Sequence, residues 1–219
     1  MNLEIIKASA PLLTQGMLMT IKLWAGSLLI SLSVGSIFGI MRSRRLRMNI
    51  ISPLCDGITF VLRGVPFYVQ LLIIYFVLPD LCNINVSPAT AGITALGLCS
   101  AAYVSQMVRG GMNAIPDGQW EAAQVLGMNT TQTLFYIILP QTLRTITPML
   151  TGELDQVLKS TSVVSYIGVL ELTRAGMNII ACEMTVAPVY LAIALMYLAA
   201  STVLNAVSGL IEKKLYKKC

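Results

Sequence analysis

Long stretches without a single charge set the first limit on this chain. Leu23–Met41, Gly64–Leu78, Val86–Val108 and Thr185–Ile211 each carry no Asp, Glu, Lys or Arg. A helix needs about 20 mostly apolar residues to cross a bilayer, and flanking residues lengthen the shorter runs. A fifth stretch, Ile146–Leu170, is apolar on average but holds Glu153, Asp155 and Lys159, which suits a helix packed inside a bundle or lining a wet path. Only 11% of the 219 residues are charged, against about 25% in a soluble domain, so lipid is the expected solvent. The reading is an all-α, polytopic membrane protein, one transmembrane domain over 1–219, with spans near 17–41, 58–79, 86–109, 145–170 and 185–211.

Positive residues orient these spans. Arg42, Arg44, Arg45 and Arg47 follow the first, Arg109 and Arg144 flank the segment after the third, and Lys213, Lys214, Lys217 and Lys218 follow the last. The loop at 79–87 has no cation. The expectation is an N-terminus outside and a C-terminus in the cytoplasm, and an odd number of spans agrees, since it puts the ends on opposite sides. No short apolar region ends at a small-residue cleavage site, so no signal peptide is expected.

Several function classes drop out. The chain has no histidine, which removes Ser-His and Cys-His catalysis and the commonest metal ligand. The five cysteines, Cys55, Cys82, Cys99, Cys182 and Cys219, form no CxxC or metal spacing, so no metal site is expected. A Cys82–Cys182 bridge stays open. Cations are scattered between apolar runs rather than gathered on one face, which argues against nucleic acid. No GxxxxGK[ST] loop is present, so ATP hydrolysis by that route is excluded and the chain itself is not read as an enzyme.

The segment 113–140 is too polar for lipid and too ordered in pattern for a linker. Asp117 reads as an N-cap with Glu121 near the first turn. Gly127 is placed to stop that helix. Asn129 and Gln132 have capping-box spacing for a second helix, which Pro140 is expected to break before the next span. Two short helices around a glycine elbow suit docking into a partner's groove.

The residues of this segment resemble a known pattern. Glu121-Ala122-Ala123, Gly127, Ile137, Leu139 and Pro140 match the EAA loop of binding-protein-dependent ABC importer permeases. Arg63-Gly64-Val65-Pro66 with Gln70-Leu71, Ala101-Ala102-Tyr103, Arg109-Gly110-Gly111 and Lys159-x-Thr161-Ser162 resemble the polar amino acid branch, the histidine, arginine and glutamine type. The resemblance implies a type I importer fold in a bacterial inner membrane. It implies a second permease subunit, identical or sister, a cytoplasmic ABC ATPase that binds the ATP and Mg, and a periplasmic or extracellular substrate-binding protein. Gly118, Glu121, Ala122, Ala123, Gly127, Ile137, Leu139 and Pro140 are then the ATPase-coupling residues, and this chain itself holds no cofactor.

Four positions depart from that family pattern: Gln106 and Ser160 stand where acids are common, Gly152 replaces an Asn, and Asp155 replaces an apolar residue. Asp155 and Lys159, four apart with the acid first, form the expected structural ion pair. Glu153 points about 200° from Asp155 on a helix, so Glu153 and Gln156 share the other face and are candidates for the substrate path; Gln106 and Arg63 are added to them by what the resemblance implies. The alternative reading is a secondary transporter or channel working without an ATPase, which leaves the EAA segment unexplained.

Overall fold

A computed structural model describes residues 2–216, which leaves Met1, Lys217, Lys218 and Cys219 outside the described residues. Helices dominate, and no strand occurs among the described residues. In chain order they are α1 (Asn2–Met41), a single 3₁₀ turn at Arg44–Leu46, α2 (Ile51–Gly64), α3 (Phe67–Cys82), α4 (Pro88–Asn113), α5 (Asp117–Val125), α6 (Thr130–Ile167, ending in a 3₁₀ stretch from Thr161), α7 (Leu172–Glu183) and α8 (Ala187–Tyr216). Three of them, over Glu4–Met41, Pro88–Asn113 and Ala187–Lys214, are long and apolar enough to cross a bilayer, and the bent pairs α2–α3 and α6–α7 raise this to 5 if each acts as one span.

The first helix starts at Asn2 rather than near residue 17. Glu4, Lys7 and Gln15 interrupt the apolar run, but none of them is a helix breaker. Its 40 residues span about 60 Å, roughly twice a bilayer's hydrocarbon core. The extra turns pack on α7: Leu13 joins Leu172 and Ile179 in one apolar cluster, and Gly16 lies against Ala175 and Leu172.

A continuous span over 58–79 is not what forms. α2 and α3 meet at a bend of 105°. Val65 is extended (φ −93°, ψ 131°), as a residue before proline prefers, and Pro66 has no N–H to continue the ladder. Gln70 covers the break: its Nε2 donates to the carbonyls of Leu62 at 2.8 Å and Val65 at 2.7 Å.

Pro140, which was expected to break its helix, does not. A π turn at Leu134–Ile138 precedes it, and the helix continues through Ser160. The widened turn takes up the clash between a proline ring and the carbonyl four residues back, here Tyr136. The same arrangement occurs in α3, where a π turn at Ile73–Val77 precedes Leu78-Pro79. The two heptapeptides, IIYFVLP and LFYIILP, share their tyrosine and Leu-Pro.

α1 and α4 form the closest pair. Gly35 and Gly39, four apart, face Val104 and Val108: a Cβ at either glycine would lie 2.7 Å from the Val104 Cβ or 2.6 Å from the Val108 Cβ. Small residues at this spacing let two helix backbones approach where lipid provides no hydrophobic drive. Buried polar contacts tie α1 to α4 and α6, and α7 to α8. Ser31 bonds Ser100 at 2.8 Å, Trp24 Nε1 donates to the Leu154 carbonyl at 2.9 Å, and Glu171 caps α7 through the amides of Thr173 and Arg174 while accepting from Tyr197.

Candidate functional site

The segment expected to dock a partner is an ordered elbow. α5 starts at Asp117 with Pro116 in the cap position, so Asp117 is inside the helix and does not cap it. Its carboxylate turns instead to arginines from the end of α1. The helix stops at Gly127, whose φ of +75° is unstrained only for glycine. Met128 N donates to the Ala123 carbonyl and Gly127 N to that of Gln124, both at 3.0 Å, a Schellman closure. Asn129 and Gln132 then cap α6 reciprocally.

One side of the elbow packs inward. Trp120, Leu134 and Ile138 join Val104, Val108, Met112 and Ile146 in a single cluster, with Leu46, Ile137 and Leu139 against it. Ala123 is fully buried. The expected Ala-Ala face is therefore split: Ala123 serves the chain's own core and only Ala122 faces outward. Gly118, Glu121 and Pro140 are exposed. Sequence reasoning missed the most prominent outward feature, Val125 at 87% and Leu126 at 76% exposure. Two apolar side chains at the C-terminal tip of an otherwise polar α5 (Gln119, Glu121, Gln124) were a readable signal.

The basic run after α1 does more than set topology. Arg42 is buried; its Nε donates to Asp56 at 2.7 Å and its Nη1 to Ser105 at 2.9 Å. Arg47 reaches the other Asp56 oxygen at 3.1 Å. Arg44 Nη2 lies 2.8 Å from both Asp117 oxygens, Arg45 pairs with the same carboxylate at 3.0 Å, and Arg45 stands 3.9 Å from Glu121. Hydrogen bonds from Arg45 and Arg44, with their positive charge, hold the Asp117 carboxyl below its ordinary value of 3.8.

Midway along α6 the side chains part to different neighbours. Glu153 accepts from Ser100 of α4 at 2.6 Å and, with Gln156, lines a cavity of about 330 Å³ shared with Phe67, Cys99, Tyr103 and Ser160. Asp155 accepts from Lys159 at 2.6 Å and from Ser201 of α8. Gln106 and Arg63 do not line that cavity. Gln106 accepts a long contact of 3.5 Å from Arg42, and Arg63 is exposed, with Nε donating to the Thr59 carbonyl. Cys82 and Cys182 are both exposed and free.

Comparison with known proteins decides the family. Residues 31–217 match the model of the binding-protein-dependent transport system inner membrane component. The chain belongs to this family. It is a permease of the ABC importer class. Among its relatives, the arginine transport system permease protein ArtQ of Bacillus subtilis is 32% identical over 205 residues, 94% of this chain and 93% of that one. The glutamine transport system permease protein GlnP of Escherichia coli K12 is 34% identical over 214 residues, covering 94% and 93%. A crystal structure of an amino acid ABC transporter with histidines superposes with a TM-score of 0.87 at 32% identity, covering 98% of each chain. The MetNI methionine ABC transporter shares the fold, with a TM-score of 0.76 at 18% identity over 93% of this chain and 96% of that one.

Proposed function

We propose that this permease forms the membrane path of an ATP-driven importer for a polar amino acid and passes to it the stroke of a separate ATPase. ATP and Mg belong to that ATPase. The other partners are a second permease subunit, identical or sister, and a soluble substrate-binding protein on the outer side. The relatives named for arginine and glutamine support the substrate class. The excess of Arg and Lys around the elbow supports a cytoplasmic elbow and C-terminus with the N-terminus outside, and five spans in an inner membrane.

The observation that carries the coupling role is the elbow: a stiff helix, closed by Gly127, buried on one side by Trp120 and Ala123, and presenting Val125 and Leu126 outward. Bare apolar side chains at the tip of a polar helix fit a groove in another protein. Gly118, Glu121 and Ala122 are the other exposed residues of that helix the partner would meet, while Ile137, Leu139 and Pro140 belong to the following helix. In the membrane, Glu153 and Gln156 offer a carboxylate and an amide to the ammonium and polar groups of a passing amino acid. Its cavity is of the size that small ligands occupy, about 300 Å³ and upward. Asp155 and Lys159 neutralise one another on the α8 side.

The test replaces both tip residues, Val125→Asp and Leu126→Asp, in the assembled transporter. Loss of the ATPase from the purified complex, with the permease still folded, supports the reading. Full retention of the ATPase and of uptake would remove it.

A further inference from the structure

We infer that the basic run after α1 is a clasp that ties the coupling helix to the bundle, with Asp117 as the positioning residue through which α5 moves α1. This rests on the coupling role proposed above. By chain connectivity α5 is joined only to α4 and α6. The ion pairs add a third attachment, to a helix more than 70 residues earlier in the sequence.

The clasp has three parts. Arg42 is the anchor: it is 4% exposed and fastened to Asp56 of α2 and Ser105 of α4. Leu46 is an apolar pin, packed on the cluster that holds Trp120 and Ile138. Arg44 and Arg45 close on Asp117, and the Arg44 amide donates to Asn113 Oδ1 at 2.9 Å. Ser52 of α2 fastens the same turn, donating to the Met41 carbonyl at 2.6 Å and accepting from Met48 N at 2.8 Å. A membrane-topology signal needs only cations in water. It does not need one of them buried against a carboxylate, nor two converging on the first residue of another helix.

Exposure separates anchor from closure. Arg44, Arg45 and Asp117 are 65%, 41% and 44% exposed, so their pairing adds little to stability. What it does is fix where the N-terminus of α5 sits relative to α1. When α5 is displaced by its partner, a closed clasp moves α1, α2 and α4 together. With the clasp open, α5 can tilt on its flanking turns and the displacement is partly lost. The expected defect is therefore in transport per ATP rather than in folding or in ATPase binding.

The experiment uses the whole transporter, permease with its ATPase and substrate-binding protein, in proteoliposomes. Uptake and ATP hydrolysis are measured together for Asp117→Asn, for Asp117→Glu, for the double variant Arg44→Gln with Arg45→Gln, and for the combination of that double with Asp117→Asn. The expected result is bound ATPase at the wild-type ratio and continued hydrolysis, with uptake per ATP reduced several-fold in Asp117→Asn. Asp117→Glu should restore it, and the combined variant should be no worse than the arginine double, because all remove one contact. Wild-type uptake per ATP in Asp117→Asn overturns the clasp. Loss of the ATPase from Asp117→Asn also overturns it, since the residue would then serve docking. Failure of the coupling role itself appears elsewhere, as an unchanged ATPase ratio in the Val125 and Leu126 variants.

Discussion

Asp56 shows how much a single carboxylate can decide. It is the acid partner of Arg42, and Arg42 has left water almost completely. Removing one member of a buried pair leaves the other charge unpaired, which costs about 3–5 kcal/mol in a fully buried site. Asp56 keeps 33% exposure, and Ser105 still holds one guanidinium nitrogen, so Asp56→Asn is expected to destabilise by about 2 kcal/mol. Chemical denaturation in detergent, followed by tryptophan fluorescence from Trp24 and Trp120, measures this. Asp117 behaves differently. Its carboxyl titrates below 3.8 because of the Arg45 and Arg44 hydrogen bonds. A depressed folded-state pKa gives a contribution that is complete above the ordinary value and fades as pH falls through the lowered one. The clasp is thus expected to be insensitive to pH across the neutral range, so uptake per ATP should show no step from this group between about pH 6 and 8.

Among the helices, the prolines are the informative residues. Gln70 satisfies the Leu62 carbonyl, which Pro66 leaves without its helical donor, and the Val65 carbonyl at the bend, and Gln70→Leu removes the partner of both. An unsatisfied buried acceptor costs about 1–3 kcal/mol; these two are part-buried and the variant also removes the buried, unpartnered Gln70 Oε1, so it should unfold earlier by about 1–2 kcal/mol in the same denaturation assay. The resemblance to an RGxP…QL pattern pointed to Gln70, and the bend explains it physically. A span of apolar residues was legible from composition. Its 105° break at Val65-Pro66 was not, because hydropathy carries no direction. Pro140 misled in the opposite sense. A proline usually ends a helix, and only the backbone shows the π turn that admits it. Gly127, Asn129 and Gln132 were readable as caps because capping is local: it needs only residue type and spacing. Asp117 had the right type for a cap, yet arginines distant in sequence claimed it, which no local rule reveals. The Gly35 and Gly39 approach to α4 and the outward Val125–Leu126 tip were in the sequence as simple patterns.

At the scale of the whole molecule, two polar regions are set in an apolar bundle. One is the elbow with its arginine clasp, and the other is the cavity beside Glu153. α4 and α6, the helices that flank the elbow in the chain, also line the cavity, which gives a displacement of the elbow a short route to the cavity walls. If Glu153 meets the passing amino acid, Glu153→Gln keeps shape and the Ser100 hydrogen bond but removes charge. The expected outcome is a weakened dependence on cationic groups of the substrate, seen as a several-fold higher KM for uptake with ATP hydrolysis intact. Unchanged uptake kinetics would take Glu153 out of the path. The most direct measurement compares purified proteoliposomes containing the full transporter with vesicles containing the permease alone. Accumulation of a labelled amino acid that requires both the ATPase and ATP is the predicted result. Accumulation by the permease alone would contradict the account.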